Sequence, residues 1–182
     1  MTTYILLLRG INVGKANRLP MATLKAVLEQ LGGQRVRTLL NSGNALFDLP
    51  ASPACDQLGD QISAALLAET GLDLHCVVKT AAELQAVAAA VNPLEMTGCD
   101  EPDPSRFLLG FCRDPLTLTQ FASAAATLSA TSSKLQIGND ALYLYCTDKI
   151  NQCPVADVLA SKKWRLITCR NLATVQKILA LL

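Results

Sequence analysis

Three short strings in this chain carry side chains able to hold a charged group. The first is Gly10-Ile11-Asn12-Val13-Gly14-Lys15, which follows directly on the apolar run Tyr4 to Leu8 and Arg9. A glycine-rich turn between a strand and a helix offers backbone N–H groups and a lysine to an anion. The spacing is not that of a Walker A loop. Three residues rather than four separate the glycines, Ala16 stands where a Mg²⁺-holding hydroxyl belongs, and five residues ending in Pro20 precede the next helical pattern. What the segment offers is a polar loop with Arg9, Asn12, Lys15 and Asn17 as donors, a set suited to a phosphate or another anion. The second string, Asn41-Ser42-Gly43-Asn44, has the composition of a hairpin turn and adds Ser42 and Asn44 as polar groups. The third, Thr168-Cys169-Arg170-Asn171, stands at the entrance to the last helical pattern. There Thr168 or Asn171 can cap the helix, while its free N–H groups and Arg170 favour negative charge. Brought to one surface, Arg9, Asn12, Lys15, Asn17, Ser42, Asn44, Arg170 and Asn171 form the candidate ligand site.

Other chemistries find less support. The single histidine, His75, falls inside a predicted strand, Leu74 to Val78, without an evident partner, which removes most of the basis for Ser-His-Asp or Cys-His catalysis and for a histidine metal site. The acids from Glu95 to Asp103 lack the spacing of a calcium loop and read as a solvated segment. No metal-ligating pattern and no cofactor signature is visible. Of the eight aromatic residues, only Tyr4 and Phe47 fall on the predicted strands of the first half, which weakens a base-stacking RNA platform.

The composition sets the class. Hydrophobic residues make up 51% of 182, charged residues 17%, and the mean hydropathy is +0.29, values of a globular chain with an ample core and not of a disordered one. A formal charge of +1 gives no whole-chain attraction to nucleic acid or to an anionic membrane. That balance conceals a segregation: residues 1 to 41 carry net +5, residues 42 to 104 net −9, and residues 105 to 182 net +5. Seven cysteines, mostly in apolar contexts and without a C-x-x-C pair, argue against a disulfide framework. No apolar run approaches the ~20 residues of a membrane span, and Met1-Thr2-Thr3 leads straight into the first strand pattern without a signal-like n-region. The expectation is a cytoplasmic protein with reduced thiols.

The elements that must position these strings follow from periodicity. A strand at Tyr4 to Leu8 is followed by a helix with apolar residues at Met21, Leu24, Val27, Leu28 and Leu31, a hairpin over 36–40 and 45–49, a helix through Leu58 and Ile62, a strand at Leu74 to Val78 and a helix at 82–91. Residues 92–104, with three prolines and four acids, read as a linker. The order then recurs: strand 106–112, helix 116–128, hairpin strands 135–137 and 142–146, short helix 155–159, strand 165–167, helix 172–181. Both halves spell β-α-β-β-α-β-α, whose first six elements are the split βαβ order of a ferredoxin-like sandwich. The predicted fold is α+β with two such repeats, 1–91 and 105–182.

The Leu8-Arg9-Gly10-Ile11-Asn12-Val13-Gly14-Lys15 string, with Asn17, Pro20 and Met21 behind it, then Ser42-Gly43-Asn44, and Thr168-Cys169-Arg170-Asn171 with Thr174-Val175, resembles a bacterial family known as domain of unknown function 1697. The resemblance runs nearly end to end. It implies a duplicated α+β fold over the whole chain and no established activity. Leu172 and Ala173 depart from the Trp and Asn usual in its last motif, as does Asn41 from the usual Gln. The leading functional expectation is a cytosolic module that binds a phosphate-bearing small molecule or a nucleic-acid backbone. The alternatives are a metal-independent enzyme that uses Arg9 or Arg170 to hold a small anionic substrate, and an assembly protein whose sheets pair into a homodimer.

Overall fold

Five consecutive apolar residues, Tyr4 to Leu8, form the pattern of a strand buried on both faces. In the computed structural model, which describes residues 1–14, 17–128 and 133–182, they lie in strand β1 (Thr2–Leu8), none more than 1% exposed. Helix α1 (Met21–Gln30), strands β2 (Gln34–Leu39) and β3 (Asn44–Leu49), helix α2 (Cys55–Thr70), strand β4 (Cys76–Thr80) and helix α3 (Ala81–Ala89) follow. The sheet runs β2-β3-β1-β4, every neighbouring pair antiparallel. After α4 (Pro93–Thr97) the plan repeats with β5 (Phe107–Phe111), α5 (Pro115–Ala125), β6 (Ser133–Ile137), β7 (Ala141–Cys146), α6 (Pro154–Ala160), β8 (Thr168–Asn171) and α7 (Leu172–Leu179). Its sheet order, β6-β7-β5-β8, is the counterpart of the first, again antiparallel throughout. The fold is therefore α+β and duplicated, with the split βαβ arrangement in each half. Two compact units divide the chain at Leu84/Gln85, within α3, and Leu182 belongs with the first. Among the described residues no helix is long and apolar enough to cross a membrane.

In the first unit one sheet face carries Tyr4, Leu6, Leu8, Phe47, Cys76 and Val78 against Leu24, Val27 and Leu28 of α1 and Leu58, Ile62 and Leu66 of α2. Each of these side chains gains about 1.5–3 kcal/mol on full burial. The rings of Tyr4 and Phe47 stack at 5.9 Å inside that core, and the Tyr4 hydroxyl donates to the Pro53 carbonyl at 2.8 Å. They are packing residues, not a surface for bases. On the other face Ile5, Leu7, Leu46 and Val77 are buried as well.

The second unit packs Leu108, Leu142 and Leu144 against Leu118 and Phe121 of α5 and Val155, Ala156 and Leu159 of α6. Cys112, Cys146 and Cys153 fill this core as small apolar groups. With Cys76 they make four buried thiols, while Cys55 and Cys169 are half-buried and Cys99 is exposed.

Three local expectations are corrected. The strand expected at Arg165 to Ile167 lies instead at Thr168–Asn171. Residues 162–164 form a 3₁₀ turn that sends Trp164 edge-on against Phe121 at 5.2 Å, and the Ile167 amide closes back on the Trp164 carbonyl at 3.0 Å. Only at Thr168 does the chain come alongside Phe111. The hairpin turn occupies residues 40–43, and Asn44 already belongs to β3, in register with Leu7. Within 92–104 there is a helical turn. The Asn92 side chain accepts from the Leu94 amide at 3.1 Å, and Pro93 occupies the first helical position, where its missing N–H leaves nothing unsatisfied.

Candidate functional site

Because β1 and β3 are antiparallel, β1 ends where β3 begins, and the loop leaving β1 must emerge beside the β2–β3 turn. The Leu8 amide donates to the Gly43 carbonyl at 2.8 Å and fixes that junction. Gly43 is required twice there. Its φ is +78°, and an added Cβ would stand 2.7 Å from Leu8 Cβ and 2.8 Å from Ile11 Cδ1.

Asparagines hold the loop. Asn12, left-handed at φ +56°, donates from Nδ2 to the carbonyls of Leu19 (2.9 Å) and Asn41 (2.8 Å), and its Oδ1 accepts from the Leu19 amide (2.9 Å). Asn17, at φ +49°, donates to the Gly10 carbonyl at 3.1 Å, and its own carbonyl accepts from the Asn12 amide at 3.0 Å. Asn44 is fully buried and donates to the Leu39 carbonyl at 2.9 Å and to Ser42 Oγ at 3.0 Å. Ile11 and Leu19 anchor the loop in the core. Six of the ten described residues with positive φ (Gly10, Asn12, Gly14, Asn17, Leu40 and Gly43) lie in this one corner. Leu40 is the most unusual of them, since a bulky side chain disfavours φ +59°, and it is half exposed.

The structure thus brings Arg9, Asn12, Asn17, Ser42 and Asn44 together in the first unit. Arg9 is half-buried at the end of β1, and Asn12, Asn17 and Ser42 are exposed. Lys15 and Ala16 lie outside the described residues. The amide donors of Asn12, Asn17 and Asn44, counted from sequence as surplus, are committed to the loop and turn. The same corner carries the half-buried Arg9 and the exposed Ser42, whose Oγ accepts from Asn44.

Arg170 and Asn171 belong to the second unit and occupy the end of β8. Arg170 sits within the strand opposite Leu109, only 8% exposed, and its Nη1 donates to the Cys169 carbonyl (2.7 Å) and Thr168 Oγ1 (3.2 Å). Burial pulls its pKa down to about 10, partly countered by Cys169. Asn171 is the N-cap of α7, its Oδ1 accepting from the Thr174 amide at 2.9 Å. Thr168 is buried in the strand, and the N-cap of α7 is Asn171 rather than Thr168.

The family described as "Protein of unknown function (DUF1697)" matches residues 1–143. The chain belongs to that family. The matched part holds the whole first unit and the second as far as Tyr143 in β7; the Thr168–Asn171 string lies beyond it. Among solved structures, the conserved bacterial protein SP0830 from Streptococcus pneumoniae is similar over 98% of this chain and 97% of that one, with a TM-score of 0.79 and 24% sequence identity. At that identity the likeness shows the fold. No curated protein matches.

One contact has no counterpart in the sequence reading. Cys55 Sγ donates to Glu83 Oε2 at 3.3 Å, and the same oxygen accepts from the amide (2.7 Å) and hydroxyl (3.0 Å) of Thr80. With the Glu83 amide donating back to Thr80 Oγ1 at 3.2 Å, this is the capping box of α3. Burial and the neighbouring carboxylate push the Cys55 thiol up to about 11, so it stays protonated at neutral pH and is not an activated nucleophile. The Thr80-x-x-Glu83 spacing was the available signal; nothing in the sequence brings Cys55 to it.

Proposed function

We propose that the chain is a cytosolic binding module for a phosphate-bearing ligand, held at the β1–α1 loop of the first unit. The observation that carries this reading is a difference between the repeats. The connection from β1 to α1 takes residues 9–20, whereas β5 reaches α5 through residues 112–114 alone. Three residues close the fold in one repeat, so the twelve used in the other serve something besides closure. Loops longer than closure requires, carried on a rigid scaffold, are where binding residues concentrate. Left-handed residues are the backbone from which anion-binding concavities are built, and Gly10, Asn12 and Gly14 supply them in this loop; Arg9 adds a full charge. Lys15 belongs to the same segment of sequence. Arg170 and Asn171 drop out of the proposed site, because one is buried in a strand and the other caps a helix.

Calorimetric titration with ATP, inorganic polyphosphate and short single-stranded RNA tests the reading. Binding that weakens with salt is expected, and Arg9→Ala should weaken it by roughly 1.5–3 kcal/mol per charge-assisted hydrogen bond lost, or about 10- to 150-fold. Preference among the three ligands separates a small-molecule site from a nucleic-acid backbone site. No binding, or binding indifferent to Arg9, leaves the asparagine frame as a purely structural device and favours the assembly reading.

A further inference from the structure

The second unit contains a cleft of about 550 Å³ that none of the three candidate-site strings touches. It lies between the approach to β5, the 3₁₀ turn at 150–152 and helix α6, and its size is that of a small-molecule site. Four charged residues line it. Two of them neutralise each other: Arg106 Nε stands 3.3 Å from Asp103 Oδ2, and Arg106 Nη1 donates to the Thr147 carbonyl at 2.8 Å. The other two, Lys149 and Asp157, have no side-chain hydrogen bond and no ion pair among the described residues. Opposite charges free to move pair readily when they can meet. Here they line one cavity unpaired, eight positions apart in sequence, with Ile150 and the buried Ala156 supplying apolar wall.

We propose that this cleft binds a small zwitterion with an apolar side chain, of the α-amino-acid type. Lys149 receives the carboxylate, Asp157 receives the ammonium, and the side chain lies on Ile150 and Ala156. Such a ligand matches both unpaired charges and the apolar wall, whereas a simple anion leaves Asp157 opposed to it and a simple cation leaves Lys149 so. The site is separate from the β1–α1 loop and stands or falls independently of the phosphate reading.

The test is ¹H–¹⁵N NMR of the whole chain titrated with L-leucine, N-acetyl-L-leucine and L-leucine methyl ester. Saturable shifts for leucine are expected at amides 103, 105, 106, 149–151 and 156–160, with each derivative, lacking one charge, bound at least about tenfold more weakly. Lys149→Ala should remove the preference for leucine over its ester, and Asp157→Ala the preference over its N-acetyl form. Both side chains are exposed, so the rest of the spectrum should stay unchanged. Absence of saturable shifts with leucine, or N-acetyl-leucine bound as well as leucine, overturns the proposal.

Discussion

Replacing Asn12 by alanine probes the frame on which the loop depends. The substitution deletes two hydrogen bonds donated by Nδ2, to Leu19 and Asn41, and the one that Oδ1 accepts from the Leu19 amide. A typical bond of this kind contributes about 0.5–1.5 kcal/mol net, and the lower part of that range applies because Asn12 is exposed and water replaces part of what is lost. Alanine is also poorer than asparagine at φ +56°, a conformation that costs most residues about 1–2 kcal/mol. Together these give about 2 kcal/mol, which at 1.36 kcal/mol per decade is about 30-fold in the opening equilibrium of the loop. Native-state hydrogen exchange reads this directly at the Leu19 amide. If opening the loop is coupled to global unfolding, Tm also falls by about 4–8 °C for a chain of this size. Asn12→Asp keeps the acceptor for Leu19 but sets a carboxylate against two carbonyls at hydrogen-bonding distance, so it should be at least as damaging. Unchanged Leu19 exchange together with unchanged Tm in Asn12→Ala refutes the claim that this residue pins the loop.

Gly43→Ala should lower stability in urea titration by more than about 2 kcal/mol, through clashes with Leu8 and Ile11 added to the strain of φ +78°, whereas Gly71→Ala, at φ +71° with open space around it, should cost only the strain, about 1 kcal/mol. For Asp48, burial alone would raise the carboxyl pKa, but the hydrogen bonds from Thr3 Oγ1 (2.5 Å) and Arg35 Nε (2.6 Å) and the nearby arginine charges win and hold it below the usual carboxylate value. Its folded pKa is thus below its unfolded one, so its contribution is complete above about pH 4 and disappears as pH falls through the folded value; urea titrations from pH 5 to pH 2 should show a larger loss in the native chain than in Asp48→Asn, which keeps only the part due to the other lowered carboxylates such as Glu83. Glu83→Gln removes the carboxylate that helps hold the Cys55 thiol protonated, and peptide mass spectrometry after iodoacetamide treatment at pH 8 should show faster alkylation of Cys55 than in the native chain.

The architecture was legible because periodicity and turn residues agree with the tertiary outcome at most positions. Tyr4 to Leu8 announces a strand buried on both faces, and the recurrence of one element order announces the duplication. Where reading failed, a local rule met a tertiary demand. Pro93 reads as a breaker until Asn92 is seen to cap a helix that the proline begins. The polar tetrapeptide Thr168–Asn171 conceals a strand because alternate residues Thr168 and Arg170 are buried in spite of their polarity. At the candidate site, residue types drew attention to the corner where the β1–α1 loop meets the β2–β3 turn, but they could not show that the amides of Asn12, Asn17 and Asn44 bond to the loop itself. Nor could they show the cleft beside α6, whose lining residues come from separate segments outside the three candidate-site strings.

The central claim is that the loop of the first unit, built beyond what its fold requires, presents an anion site around Arg9. Titrating the ¹⁵N-labelled chain with tripolyphosphate at low ionic strength, and following the spectrum residue by residue, tests that claim most directly. Saturable shifts should appear at amides 10–14, 17 and 41–43 and be much reduced in Arg9→Ala. Shifts that are absent there, or that instead follow the exposed basic turn at Lys162, Lys163 and Arg165, contradict it.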